Sequence, residues 1–278
     1  MKRSFRSLFI AMFALLVLAF CALGSQLLVV PAHALESDEE QIIEGRNASE
    51  GIGSSARSFI AELIGTGLLL AVVVGSGIMA ERLSAGNLAL ALTANSLATG
   101  AGLIALILAF GPISGAHFNP VVTLVNASLG GLQWRQVPGY IVAQITGAFC
   151  GVGIANLIFE EPLYFASHHP RHGTAQIVSE FVATFGLLSV ILGCAGRRSE
   201  VVPFAVGAYI TAAYWFTSST SFANPAVTLA RSVSDTFTGI RPVDVPAFLA
   251  AQFVGAAAAA ALFRWLTPSL WKKARVGL

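Results

Sequence analysis

Six apolar runs follow Arg57, and each is long enough to cross a lipid bilayer, for which about 20 mostly apolar residues suffice. They cover 58–80, 87–110, 136–159, 174–196, 201–219 and 243–265. Charged residues make up only 11% of the chain and the mean hydropathy is +0.75, whereas a soluble domain carries roughly 25% charged residues. The sequence therefore predicts an all-α, multi-pass membrane protein whose solvent is the lipid bilayer.

Two further apolar segments, 120–128 and 225–233, are too short to span. As helices each would be about 14 Å long at 1.5 Å per residue, which is half of a hydrocarbon core of about 30 Å. Each segment begins at the Pro of an Asn-Pro pair and continues into a short apolar run that ends in Thr-Leu. The second Asn, Asn224, lies 105 positions after the first, Asn119. Two half-helices that enter from opposite faces together make one full crossing.

The chain also repeats itself. The twelve-residue segments that begin at Val137 and Val245 are identical at six positions, and Glu62 in the first span corresponds to Glu180 in the fourth. Each half has the same order: a Glu-bearing span, a second span, an Asn-Pro half-helix and a Val-Pro span. Three spans are an odd number, so the second copy must be inverted relative to the first. Inverted repeats with broken helices are typical of transport proteins.

Each Asn-Pro pair predicts the start of a helix, because Asn caps helix N-termini and Pro is favoured at the first helical position. If both starts lie at the membrane centre, their positive dipole ends repel cations and protons there. Neutral hydroxyls and water can instead accept hydrogen bonds from the Asn amides. The predicted pore centre comprises Asn119, Pro120, Val121, Asn224, Pro225 and Ala226.

These paired boxes resemble those of the major intrinsic protein family, the aquaporins and aquaglyceroporins. The segment 114–120 is similar to the family's first box and 221–226 to its second, and the resemblance covers about 58–265. It implies six tilted helices and two re-entrant half-helices around one pore per subunit, usually in a homotetramer. It also implies that Glu62 and Glu180 hold the re-entrant loops through backbone hydrogen bonds, and that His117 packs beside the pore.

The family's constriction positions, carried over by their offset from the boxes, are Thr99, Ala212, Ser221 and Val227. Most members place Arg directly after the second box, where this chain has Val227. This departure from the family predicts a wide pore that passes water with glycerol-like or urea-like solutes, or neutral metalloid hydroxides such as arsenite. A water-selective aquaporin is the alternative. Arg231 lies one turn beyond Val227. It is predicted to place its charge in the outer vestibule, to snorkel to the membrane surface, or to form an ion pair with Asp235.

Other function classes fit the sequence less well. A secondary active transporter normally carries ionisable residues along its pathway, whereas the deep acids here are two symmetric glutamates. The spans contain no nucleophile–base pairing and no metal cluster, so we predict no enzymatic activity, cofactor or metal site. A formal charge of +2 does not favour nucleic acid as a partner. His168, His169 and His172 are predicted to lie in a hydrated loop rather than to bind metal.

The ends of the chain leave alternatives open. Residues 1–34 resemble a signal peptide or form an extra hydrophobic span, and the acidic segment 35–57 is predicted to be a disordered linker. The channel domain covers 58–265, with repeats at 58–159 and 174–265, and a basic tail follows at 266–278. Basic residues near 197 and in the tail favour a cytoplasmic position for Arg57 in the cell's inner or plasma membrane. A translocated leader would instead place Arg57 outside. Either the leader does not translocate the chain that follows it, or the start codon is misassigned, or the channel domain has the opposite orientation.

Overall fold

Eight α-helices account for most of the described chain. The computed structural model describes residues 39–195 and 198–268, with side chains from residue 55 onward. Within these ranges the helices are α1 Glu39–Leu83, α2 Leu88–Ser114, α3 Pro120–Ser128, α4 Val137–Ile158, α5 Thr174–Ala195, α6 Val202–Phe216, α7 Pro225–Arg231 and α8 Val245–Leu266. The residues 1–38, 196–197 and 269–278, which include the predicted leader and most of the basic tail, lie outside the described residues.

The helices pack as two matching sets, as the inverted repeat predicts. In the first repeat α1 packs against α4 and α2, and in the second α5 packs against α8 and α6. The pairing of α2 with α6 joins the two repeats. The short helices α3 and α7 each contact both α4 and α8, and they also contact each other. The half-helices therefore occupy the interior, between the two sets of long helices.

Close contacts between long helices depend on glycine at equivalent places in the two repeats. A Cβ atom added to Gly147 on α4 would lie 2.2 Å from the carbonyl oxygen of Leu63 on α1. A Cβ atom added to Gly255 on α8 would lie 2.6 Å from the carbonyl oxygen of Phe181 on α5. Helices in lipid associate through such van der Waals packing rather than through the hydrophobic effect. The two glycines thus set the spacing within each repeat.

Most helix boundaries lie within a few residues of the sequence-based predictions, and three differences affect the description of the fold. Helix α1 begins at Glu39, so the segment predicted to be a disordered linker is helical from that residue; Glu, Gln and Ala favour helix and continue directly into the span. Helix α6 ends at Phe216, because Thr217 is extended at φ −114° and ψ 137°. Helix α7 ends at Arg231, two residues before the predicted end of the half-helix at Val233.

Within the described residues, five helices are long and apolar enough to cross a membrane by length and composition alone: α1, α2, α4, α5 and α8. Helix α6 has 15 residues and is about 22 Å long, shorter than the predicted span 201–219. It nevertheless pairs with α2, and it stands next to α5 as α2 stands next to α1. Helix α6 is therefore the second repeat's counterpart of α2.

We expect Gly147→Ala to lower the thermal stability of the purified protein in detergent, because the added methyl group cannot fit against the Leu63 carbonyl. Overpacking of this kind costs about 1–3 kcal/mol. Gly111→Ala on α2 is the matched control, since a Cβ atom there meets no heavy atom within 4 Å. The apparent melting temperature, measured by the loss of the monodisperse chromatographic peak on heating, should fall only for Gly147→Ala. Equal melting temperatures for both variants would contradict the packing argument.

Candidate functional site

The N-terminal ends of α3 and α7 meet in the interior and are tied together by their capping residues. Asn119 donates from Nδ2 to the carbonyl oxygen of Ala223 at 2.8 Å, and Asn224 donates from Nδ2 to the carbonyl oxygen of Phe118 at 2.8 Å. Each Oδ1 accepts a hydrogen bond from the backbone N–H two residues ahead, at 3.1 Å in α3 and 3.0 Å in α7. Each Asn therefore caps its own helix and holds the loop of the other repeat.

The loops before the two half-helices share an unusual backbone. Ala116 and Phe118 in the first, and Ser221 and Ala223 in the second, have positive φ angles of 47°, 50°, 52° and 49°. A non-glycine residue in this region costs on the order of 1–3 kcal/mol and persists only where its surroundings fix it. The groups that fix these loops are the buried glutamates Glu62 and Glu180, for which the family resemblance implied this role.

Glu62 on α1 holds the first loop. Its Oε1 accepts hydrogen bonds from the backbone N–H of His117 at 2.9 Å and from Oγ of Ser114 at 2.7 Å. Its Oε2 accepts from the backbone N–H of Phe118 at 2.7 Å and from Nε2 of Gln144 at 2.7 Å. The side chain is fully buried, and this full set of partners makes such a burial tolerable.

Glu180 on α5 holds the second loop in the same way. It accepts hydrogen bonds from the backbone N–H groups of Phe222 and Ala223, both at 2.9 Å, and from Nε2 of Gln252 at 2.6 Å. Gln252 also donates to Oγ1 of Thr228 at 2.8 Å. Gln144 donates to Oγ1 of Thr123 at the same distance.

Sequence reasoning missed these glutamines and threonines. Their signal was present, because Gln144 and Gln252 occupy the same place in the repeated Val-Pro segments, and Thr123 and Thr228 the same place in the two boxes. Equivalent polar residues in two inverted membrane repeats indicate a shared buried contact. A search for polar identities between the repeats would have found all four.

A cavity of about 290 Å³ extends along both half-helices and includes Asn119 and Asn224 in its wall. Thr99, Ser221 and Val227 also line it, as does His117. The backbone N–H of His117 contacts Glu62, and its ring contacts Thr123 and Asn126. The other residues predicted for the pore centre are buried and do not line the cavity: Pro120, Val121, Pro225 and Ala226.

The assignment of Ala212 to this wall is wrong. Ala212 is exposed on the outer surface of α6, whereas Ile210 and Tyr214 face the cavity. Two residues along a helix turn the side chain by about 200°, so Ala212 points away from the face that carries its neighbours. The assignment assumed that the fifth span has no gap relative to the family, and the register of α6 does not fit that assumption. Tyr214 instead contacts Thr99, with its hydroxyl 3.1 Å from Oγ1.

Arg231 lies inside the protein rather than in an ion pair with Asp235. It is 2% exposed and lines the cavity, with its guanidinium carbon 3.4 Å from the centroid of the Phe222 ring. Its Nε donates to the carbonyl oxygen of Thr238. Asp235 accepts from the backbone N–H and ring of His168 instead, at 2.7 and 2.8 Å. The predicted alternative that paired Arg231 with Asp235 is therefore wrong.

The loop between α4 and α5 was predicted to be hydrated, yet it carries a partly buried cation, Arg171. Arg171 donates to the carbonyl oxygens of Gly239 at 2.7 Å and Ser219 at 2.8 Å, and lies 4.9 Å from the centroid of the Phe222 ring. Burial lowers the pKa of Arg171 to about 10, against the attraction of Glu180, so it stays protonated at neutral pH. The part of the loop around His168 is exposed. Among the described side chains, no group of three or more His, Cys, Asp or Glu is placed to hold a metal ion.

The structure thus has two helix N-termini that meet beside an internal cavity, and the sequence matches a known family along most of its length. The sequence pattern of the "Major intrinsic protein" family matches residues 52–221 and 198–277. The chain belongs to the major intrinsic protein family. The predicted family and the aquaporin-like inverted-repeat fold are thus confirmed, and with them the multi-pass membrane character.

Relatives and solved structures agree with this membership. The chain is 55% identical to aquaglyceroporin AqpS of Rhizobium meliloti (strain 1021) over 210 residues, covering 76% of this chain and 90% of AqpS. It is 34% identical to aquaporin NIP1-1 of Zea mays over 187 residues, covering 62% and 65% of the two chains. The aquaglyceroporin from Plasmodium falciparum shares the fold, with a TM-score of 0.59 at 21% identity, covering 78% of this chain and 98% of that one.

We expect Glu180→Gln to destabilise the protein and abolish most of its water permeability. The amide places an NH₂ group among the N–H donors of the loop, and each lost hydrogen bond to the carboxylate contributes about 1.5–3 kcal/mol. Glu200→Gln, an exposed site before α6, is the control. Melting temperature in detergent and osmotic water permeability in proteoliposomes should both fall for Glu180→Gln alone. Wild-type values in that variant would show that the carboxylate does not hold the loop.

Proposed function

We propose that this family member is a passive channel for water and for small uncharged solutes of the glycerol and urea type, including neutral metalloid hydroxides such as arsenite. The assignment of these solutes rests on one observation. The cavity wall next to the Asn pair is formed in part by the short, uncharged side chains of Val227 and Ser221, and bulkier or charged side chains there would narrow the cavity. The relative at 55% identity is named an aquaglyceroporin, which agrees with this assignment.

The chemistry of the wall suits such solutes. Asn119 and Asn224 each use one Nδ2 hydrogen bond on the opposite loop, which leaves the second N–H of each amide for a solute oxygen. Hydroxyls of Thr99 and Tyr214 lie in the same wall as the apolar side chains of Val122 and Leu103. A polyol has hydroxyl groups along one side and CH groups along the other. Its hydroxyl groups can hydrogen-bond to the amides and hydroxyls of the wall, while its CH groups contact the apolar side chains.

Two rival functions are disfavoured by particular contacts. A water-selective aquaporin needs a narrow filter, which the short side chains of Val227 and Ser221 do not supply. A secondary active transporter needs ionisable groups along the pathway. The deep acids Glu62 and Glu180 are instead bonded to the loops, and neither is among the described residues that line the cavity. We likewise propose that the protein has no enzymatic activity.

We propose further that the protein is a homotetramer in the cell's inner or plasma membrane. Large apolar side chains are exposed on the outer faces of several helices, among them Leu97, Val142, Phe204 and Val254, and these suit lipid or neighbouring subunits. Mass photometry of the protein in nanodiscs distinguishes a tetramer from a monomer. The proposed division into leader, linker, channel domain and tail is tested by N-terminal sequencing of the membrane-purified protein.

We expect Val227→Arg to reduce the permeability to glycerol and urea by about tenfold or more while water permeability changes less, because a long charged side chain narrows the wall and selects by size. Val227→Ala, which keeps the site short and neutral, is the control and should retain solute flux. Stopped-flow light scattering of proteoliposomes measures all three permeabilities.

Two results would contradict the proposal. A parent protein that conducts water but excludes glycerol, urea and arsenite would be water-selective. Solute flux that saturates and collapses when an uncoupler is added would indicate active transport. A linear dependence of flux on the solute gradient, unaffected by the uncoupler, is the expected behaviour of a passive channel.

A further inference from the structure

The inverted repeat presents matching positions of its two half-helices to the cavity. Val122 and Val227 lie three residues after their capping Asn, Asn126 and Arg231 lie seven residues after, and all four line the cavity. Residues four apart share one face of a helix, so each half-helix contributes one stripe to the wall. At the outer end of that stripe the first repeat has a neutral amide, and the second has a guanidinium.

The contacts of the two stripe ends also correspond. Asn126 contacts the ring of His117, with Nδ2 2.7 Å from Nε2, and Arg231 stacks on the ring of Phe222, which follows Ser221 as His117 follows Ala116. Of the described groups around Arg231, the Thr238 carbonyl accepts a hydrogen bond from Nε, and none accepts one from the Nη atoms. The guanidinium is therefore rigidly placed, with donors left for molecules in the cavity.

Arginines and acids surround this end of the cavity in equal number, but among the described residues Arg231 is the charged one that lines the cavity wall. Arg171 lies over the same Phe222 ring as Arg231. The carboxylate of Glu180 accepts hydrogen bonds from the backbone N–H groups of the loop. Asp235 is bonded to His168, and Asp244 to Arg241 and the backbone of Arg171. The last turn of α7 carries the negative end of the helix dipole, which favours a cation at Arg231.

We propose that Arg231 is a selectivity residue of this pore: its fixed positive charge excludes small cations, and its free N–H groups donate to the oxygens of neutral solutes. This inference rests on the proposed channel function. Charge and width are then set by different residues, since Arg231 supplies the charge while Val227, one turn closer to the Asn pair, leaves the passage wide. A pore can in this way admit bulky neutral solutes and still reject cations of the same size.

Urea and guanidinium provide the test, because they are close in size and shape and differ in charge. Wild-type proteoliposomes should pass urea and exclude guanidinium at millimolar concentration. We expect Arg231→Asn, which copies the first repeat, to raise the guanidinium permeability by about tenfold or more while urea still passes. Arg231→Lys, which keeps the charge, should still exclude guanidinium. Arg135→Gln removes an exposed cation far from the cavity wall and should match the wild type.

The outcomes separate the two proposals. Urea flux in Arg231→Asn with guanidinium still excluded would overturn the role of Arg231 and leave the channel function standing. A wild-type protein that passes neither urea nor glycerol would overturn the proposed solute class itself. If Arg231→Asn shows no urea flux, Arg231→Gln, whose longer amide can reach the Thr238 carbonyl, takes its place under the same two criteria.

Discussion

The arrangement of the protein interior depends on two buried carboxylates, those of Glu62 and Glu180. The re-entrant loops reverse direction through residues with positive φ, a backbone that no local sequence preference stabilises. Glu62 and Glu180 supply acceptors for the N–H groups that these loops turn inward. Without them the loop N–H groups would be unpaired in a region that excludes water. The cavity, the facing helix starts and the ring stacked on Arg231 all depend on that support.

Much of this architecture could be read from the sequence because lipid imposes simple constraints. Length and apolarity located the spans, and the half-length segments after Asn119 and Asn224 could only be re-entrant. The repeat identified Glu62 and Glu180 as equivalent acids, and the family resemblance implied that they hold the loops, through contacts that the structure describes. It was harder to predict from the sequence which face of a helix points into the cavity. Ala212 was misplaced because counting from the second box assumed that the fifth span has no gap, whereas the face of α6 that meets the cavity carries Ile210 and Tyr214.

The remaining differences come from long-range contacts that leave no local pattern. Nothing near Arg231 in the sequence indicates that its nearest ring is Phe222, or that Arg171, 60 positions earlier, lies on the same ring. Asp235, at the helical spacing of four, was the obvious partner for Arg231. It binds a histidine from the loop between the repeats instead, because that loop folds over the end of α7.

The crossed hydrogen bonds of Asn119 and Asn224 have a consequence for how the protein is made. Each amide finds its acceptor in the other repeat, so Asn119 has no acceptor until Ala223, 104 positions later in the chain, has been synthesised. The junction of the two half-helices is thus among the last parts of the protein to assemble, and a chain that ends before the second half-helix cannot form it.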